Sequence, residues 1–263
     1  MGKYRIILIG GVKMYVIYLD AGHGGTDSGA VGNNVKEKEI TLEVTKAVGE
    51  RLIAHGFGVR YSRTDDSFVG DASERGKKAG LSKADFALSI HVNSGGGKGA
   101  ELLVPVKEEY GAIESVLVEE FKKLNTWRSI KSRDYSTGAF ETRTLSGTKL
   151  SKSKYSKDYY GFIRGAVAYG VSADIIELFF IDNAEDVKLY QANKEKYVEA
   201  IVKSICEGFK VTYEAPKVTL PTGQKTMYQV ICGSYGNKTN AEKIKKQLED
   251  KGFTGVFIQA VKR

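Results

Sequence analysis

With 263 residues, 41% hydrophobic and 27% charged, the chain can bury one full core plus a small appendage. Two cysteines, Cys206 and Cys232, exclude a disulfide framework, and no stretch is apolar for long enough to span a bilayer. The formal charge of +8 is uneven: residues 127–164 carry nine Lys/Arg against three Asp/Glu, and residues 225–263 eight against three. Such patches permit polyanionic partners, a nucleic acid or an acidic wall polymer, or are simply solvated surface.

The apolar run 4–12 begins like a signal peptide but lacks a small-residue cleavage site, and Met14 is a second candidate start. Residues 15–20 form an apolar run ending in glycines, read as a buried strand. Residues 39–55 carry apolar side chains at 40, 44, 48 and 52, which predicts a helix ended by Gly56. A strand over 57–62, a short helix over 73–81, strands over 86–92 and 100–106 and a helix over 110–124 follow. Residues 127–160 break this rhythm and read as a long surface insertion. A strand over 172–181 and an amphipathic helix over 183–209 complete the main domain. The expected architecture is α/β: a mostly parallel sheet with helices on both faces. The expected divisions are a main domain at 14–211, a linker at 212–226 and a small βαβ module at 227–263.

Two of the three histidines occupy the same kind of place. His23 follows the first strand within DAGHGG (20–25), and His91 ends the third within SIHVNS (89–94). Ligands of open α/β sheets bind beyond the carboxyl ends of the strands, so parallel neighbours would bring both imidazoles to one edge. A catalytic zinc site needs three protein ligands and one free position, and Glu37 or Glu39 could add the carboxylate. Glu177 is the one charge in an apolar run after Asp174, a placement that suits a proton carrier. Each also has a plainer reading. Glu37 could be a helix-start acid, Glu177 an ion-pair partner, and His55 a helix-end cation.

The segments DAGHGGTDSGA (20–30), EKEITL (37–42), SER (73–75), SIHVN (89–93) and IELFFIDN (176–183) together resemble the N-acetylmuramoyl-L-alanine amidase 3 family in order and spacing. The resemblance spans about residues 14–209. It implies Zn2+ held by His23, Glu37 and His91, with Glu177 as the catalytic glutamate. The substrate it implies is the lactyl amide between N-acetylmuramic acid and L-alanine in peptidoglycan. Arg75 matches a family arginine to which no role is assigned, and residues 127–160 match the family only loosely. The segments YQVICGSY (228–235) and NAE (240–242), with Gly252 and Phe253, are similar to half of a SPOR-type peptidoglycan-binding repeat. Two such halves could pair between copies and make a homodimer.

Other classes fit less well. The glycines after the first strand lack the dinucleotide-binding spacing, and no G-x-S-x-G elbow is present. The alternative from another class is a non-catalytic wall-binding protein. Nucleic-acid binding rests on charge alone and is not expected, nor is a membrane partner. Lacking a recognisable export signal, the protein is expected to stay cytoplasmic until a holin or cell lysis releases it onto the wall. That expectation covers both a phage or prophage endolysin and a mother-cell lytic amidase.

Overall fold

The strand Val16–Ala21 (β1) is buried along its whole length, because its apolar run is flanked by sheet on both edges. The structure, a computed structural model, describes residues 7–9 and 12–215 and the isolated positions 242, 243, 245 and 246. The chain divides into two units, Met1–Ala215 and Pro216–Arg263. Apart from those four isolated positions, the half module expected at 227–263 lies outside the described residues, as do most of the linker and Cys232.

After β1 come Gly58–Tyr61 (β2), Phe86–Asn93 (β3), Ala100–Leu103 (β4), Trp127–Arg133 (β5), Phe140–Arg143 (β6) and Ala173–Phe180 (β7). They form one sheet in the order β6-β5-β4-β7-β3-β1-β2. The four strands β2, β1, β3 and β7 are parallel neighbours, β4 runs antiparallel to β7, and β6 runs antiparallel to β5. The helices are Glu37–Ala54 (α1), Ala72–Leu81 (α2), Ala112–Lys123 (α3), Gly161–Val167 (α4) and Ala184–Gly208 (α5).

Alternation along the strands sorts side chains onto two faces. Ile17, Leu19, Leu88, Ile90, Ile176 and Leu178 face a core closed by α1, α3 and α5. In α1, the residues Ile40, Val44, Val48 and Leu52 are all buried there, contributing on the order of 1.5–3 kcal/mol each. The opposite face carries Val16, Tyr18, Ala87, Ala173 and Ile175 against α2 and α4, whose Phe162 and Ile163 fill a smaller core. Asp71 opens α2 with a reciprocal capping box to Glu74. Asn183 caps α5 by accepting from the Glu185 and Asp186 backbone N–H groups.

The mostly parallel sheet with helices on both faces is the expected architecture. One expectation is corrected. Residues 127–160 are no loop: β5 and β6 extend the main sheet, and Leu145–Ser146 pairs with Lys149–Leu150 in a small ribbon. Only Ile130, Ser132 and Arg143 of β5 and β6 are buried, so a half-polar edge strand hid behind its exposed charges. Helix α4, seven residues with an internal glycine, was too short to carry a period. Helix α5 holds one non-helical residue, Asn193, whose side chain donates to the Leu189 carbonyl. Among the described residues no helix is long and apolar enough to cross a membrane.

Candidate active site

His23 and His91 meet because β1 and β3 are parallel neighbours in register, with Ala21 opposite Ile90. Their rings lie 4.9 Å apart at 80°. His23 sits just past β1 with φ 63°, a left-handed conformation between glycines that turns its imidazole back over the strand end. Arg63 fixes this turn: it is buried and donates to the Ala21, Gly22 and Lys38 carbonyls. Thr41 Oγ1 donates to the Gly22 carbonyl as well, at 2.7 Å.

Glu37 is the first residue of α1 and is buried. Its Oε1 lies 3.2 Å from His23 Nε2 and 2.9 Å from His91 Nδ1. Backbone N–H groups of Val92 and Ala30 donate to its two oxygens at 2.9 and 2.8 Å. Burial opposes its charge, but the hydrogen bonds and charges of the two histidines hold its carboxyl well below the usual range. Burial likewise opposes a charged His23, yet Glu37 and Asp27 raise it above its ordinary value. Asp27 Oδ2 lies 2.9 Å from His23 Nδ1, leaving Nε2 to face Glu37. Glu39, the other acid at this helix start, is an exposed partner of Lys36 at 3.4 Å and stands apart from the cluster.

The donor atoms of His23, Glu37 and His91 all lie within 4.8 Å of one another. Two imidazole nitrogens and one carboxylate oxygen are a donor set that suits a zinc-type ion with one position left open. The backbone is shaped around this cluster. A Cβ at Gly22 would lie 2.4 Å from His91 Cε1, and one at Gly29 would lie 2.6 Å from both Glu37 Oε2 and His23 Cδ2. An Asp27 carboxylate behind His23 is the kind of partner that fixes a metal-binding imidazole.

These three side chains line a cavity of about 290 Å³ with Arg75, Tyr160 and Glu177. Glu177 stands on β7 opposite His91 of β3 in the register. Its Oε2 is buried and has no hydrogen-bond partner. Burial pushes its carboxyl up to about 7; His91 pulls it down, while Glu37 and Glu101 add to the rise. Among the described residues it forms no ion pair, which removes the plain structural reading. Arg75 reaches the cavity from α2, with its Nε 3.0 and 3.2 Å from the Asp20 oxygens, and Ser89 Oγ donates to Asp20 Oδ2 at 2.6 Å. His55 is remote from the site. It ends α1, stacks on Tyr213 at 5.6 Å, and accepts from the Glu214 N–H at 3.0 Å.

Four residues carry parts that sequence reasoning left blank. Asp27 orients His23, Arg63 clamps the loop, Asp20 anchors Arg75, and Tyr160 walls the cavity. Asp20 and Asp27 lie inside the quoted 20–30 segment, so their position was visible while their partners were not. Tyr160 had no such signal.

A sporulation-specific N-acetylmuramoyl-L-alanine amidase of Bacillus subtilis is 28% identical over 252 residues, covering 93% of this chain and 85% of that protein. The endolysin of Bacillus phage SPP1 is 30% identical over 199 residues, covering 73% of this chain and 64% of that protein. The catalytic domain of CwlV, an N-acetylmuramoyl-L-alanine amidase from Bacillus (Paenibacillus) polymyxa var. colistinus, aligns with TM-score 0.57 and 25% identity. It covers 76% of this chain and 100% of that one. The family model for N-acetylmuramoyl-L-alanine amidase matches residues 17–210, nearly all of the sheet and its helices, and the chain therefore belongs to the N-acetylmuramoyl-L-alanine amidase family.

Proposed function

We propose that the chain is a zinc-dependent hydrolase of the lactyl amide between N-acetylmuramic acid and L-alanine in peptidoglycan. The observation that carries this reading is the convergence of His23, Glu37 and His91 on one point, with the unpartnered Glu177 carboxyl in the same cavity. His23, Glu37 and His91 would hold the ion. Zn2+ bound there would supply Lewis-acid polarisation of the amide carbonyl and ease ionisation of a water. Glu177 takes the proton of the attacking water and returns it to the departing alanine nitrogen. A carboxyl lifted towards neutrality by burial is suited to both transfers. Asp27 holds His23 in the tautomer that leaves Nε2 free for the ion. The Val92 and Ala30 N–H groups keep Glu37 ionised and aimed.

The non-catalytic alternative is disfavoured by the same observation. A binding-only descendant has no need for a buried carboxyl left without a partner. Of the two cellular settings, lysis of a mother cell is favoured over phage release. The match to the sporulation-specific relative spans 252 residues and so reaches past Ala215 into the C-terminal unit. A wall-binding role for the SPOR-like half, with pairing of two copies, rests on the sequence resemblance of residues 228–253; sedimentation as a monomer would count against the pairing. Digestion of purified wall tests the reaction. New alanine amino termini without new reducing ends are expected, and new reducing ends alone would refute it.

A further inference from the structure

The sheet continues past the cavity and carries side chains there that the reaction does not use. The register places Glu177 of β7 beside Glu101 of β4 and Glu101 beside Ser129 of β5. Alternation then puts Lys131 and Arg133 on that same face, with Phe140 of β6 opposite Arg133. Phe140 is 51% exposed and Tyr159 40%, so solvent reaches this shelf.

The shelf's cations are not equivalent. Arg128 and Lys131 both pair with the buried Glu101. Arg133 has no carboxylate within 4 Å among the described residues. The nearby acids turn inward, Asp134 onto Thr137 and Asp158 onto the Val106 N–H. Arg133 is instead framed by rings, its guanidinium carbon 3.7 Å from the Tyr159 centroid, 4.6 Å from Phe140 and 5.9 Å from Tyr160. Its Nε donates to the Gly138 carbonyl at 2.8 Å. The frame and this bond restrict the guanidinium while leaving it half-exposed and its charge unneutralised.

Tyr160 belongs to both places, because it walls the cavity that holds Glu177 and borders Arg133. A peptide advances about 3.3–3.6 Å per residue. The Tyr160 centroid lies 5.9 Å from the guanidinium carbon, so a carboxylate one or two residues beyond an amide held against that ring comes within reach of Arg133. Resting on the amidase reading above, we infer that Arg133 is a specificity residue that binds a free carboxylate of the peptide on the amine side of the scissile bond. The rings restrict it for a paired, charge-assisted contact.

The test measures kcat/KM on soluble muropeptides with free peptide carboxylates, and on the same compounds with those carboxylates amidated. The enzymes compared are the unaltered protein, Arg133→Gln and Arg133→Lys. Arg133→Gln is expected to lose about 10- to 100-fold on the free acids, mainly through KM. It should change little on the amides, whose turnover also reports that the variant is folded, and Arg133→Lys should recover part of the loss. Equal losses on both substrates, or none on the free acids, would overturn the assignment. Failure of the unaltered enzyme to cut either substrate would overturn the amidase reading and this inference together.

Discussion

Replacing Glu177 by glutamine separates catalysis from stability. The substitution preserves shape and removes the charge from a group whose Oε2 has no partner to lose. In metal-free protein, a carboxyl moved from 4.5 to about 7 costs the folded state up to about 3 kcal/mol once it ionises. The sign follows from proton uptake. Between those two values the folded state holds a proton that the unfolded state has lost, so stability falls as pH rises. The penalty is absent below about 4.5 and complete above about 7. Glu177→Gln should therefore raise the Tm of chelated protein by several degrees at pH 8 and leave it nearly unchanged at pH 4.5. Loss of the proton carrier should lower kcat about 10²–10⁴-fold. The assays are thermal melts at the two pH values and release of alanine amino termini from wall. A variant destabilised at pH 8, or one that keeps near-full kcat, would refute the reasoning.

Three further outcomes follow from the same contacts. His91→Ala should leave the purified chain without bound zinc by elemental analysis, since His91 supplies one of the three donor atoms; unchanged zinc content would remove it from the site. Gly22→Ala, whose Cβ would lie 2.4 Å from the His91 ring, should displace that imidazole and weaken metal affinity about 10- to 100-fold in chelator competition. Glu114 and Asp174 face each other in the interior; burial lifts Glu114 to about 7 and Asp174 well above the usual range. Both raised values make stability fall as pH climbs, from about 4.5 to 7 for Glu114 and from about 3.8 upward for Asp174, and Asp174→Asn should flatten that fall in pH-dependent melts.

Much of this was legible in the chain because it follows from alternation and strand ends. Residues 15–20 and 86–92 read as buried strands, and a parallel pair must bring His23 and His91 to one edge. The choice between Glu37 and Glu39 was not legible from spacing. It depends on where α1 begins: Glu37 is its first residue, and two residues onward is about 200° around the helix, facing Lys36 and solvent. Strands β5 and β6, at one end of the sheet, escaped notice because one face stays wet and carries Lys131, Arg133 and Phe140. Tyr160, the residue before α4, joins Glu177 in the cavity lining only through packing between separate elements. Such contacts leave no local pattern to read. Arg63 is of the same kind, because it acts on a loop that only the folded sheet brings within reach, whereas Asp27 acts within its own loop, four residues from His23.

Metal reconstitution tests the central claim most directly. Chelated protein should be inactive on wall and recover alanine release in proportion to added zinc, saturating at one ion per chain. Glu177→Gln should bind that ion and release nothing. Full activity in rigorously metal-free protein, or zinc uptake undiminished by loss of His23, Glu37 or His91, would contradict the account.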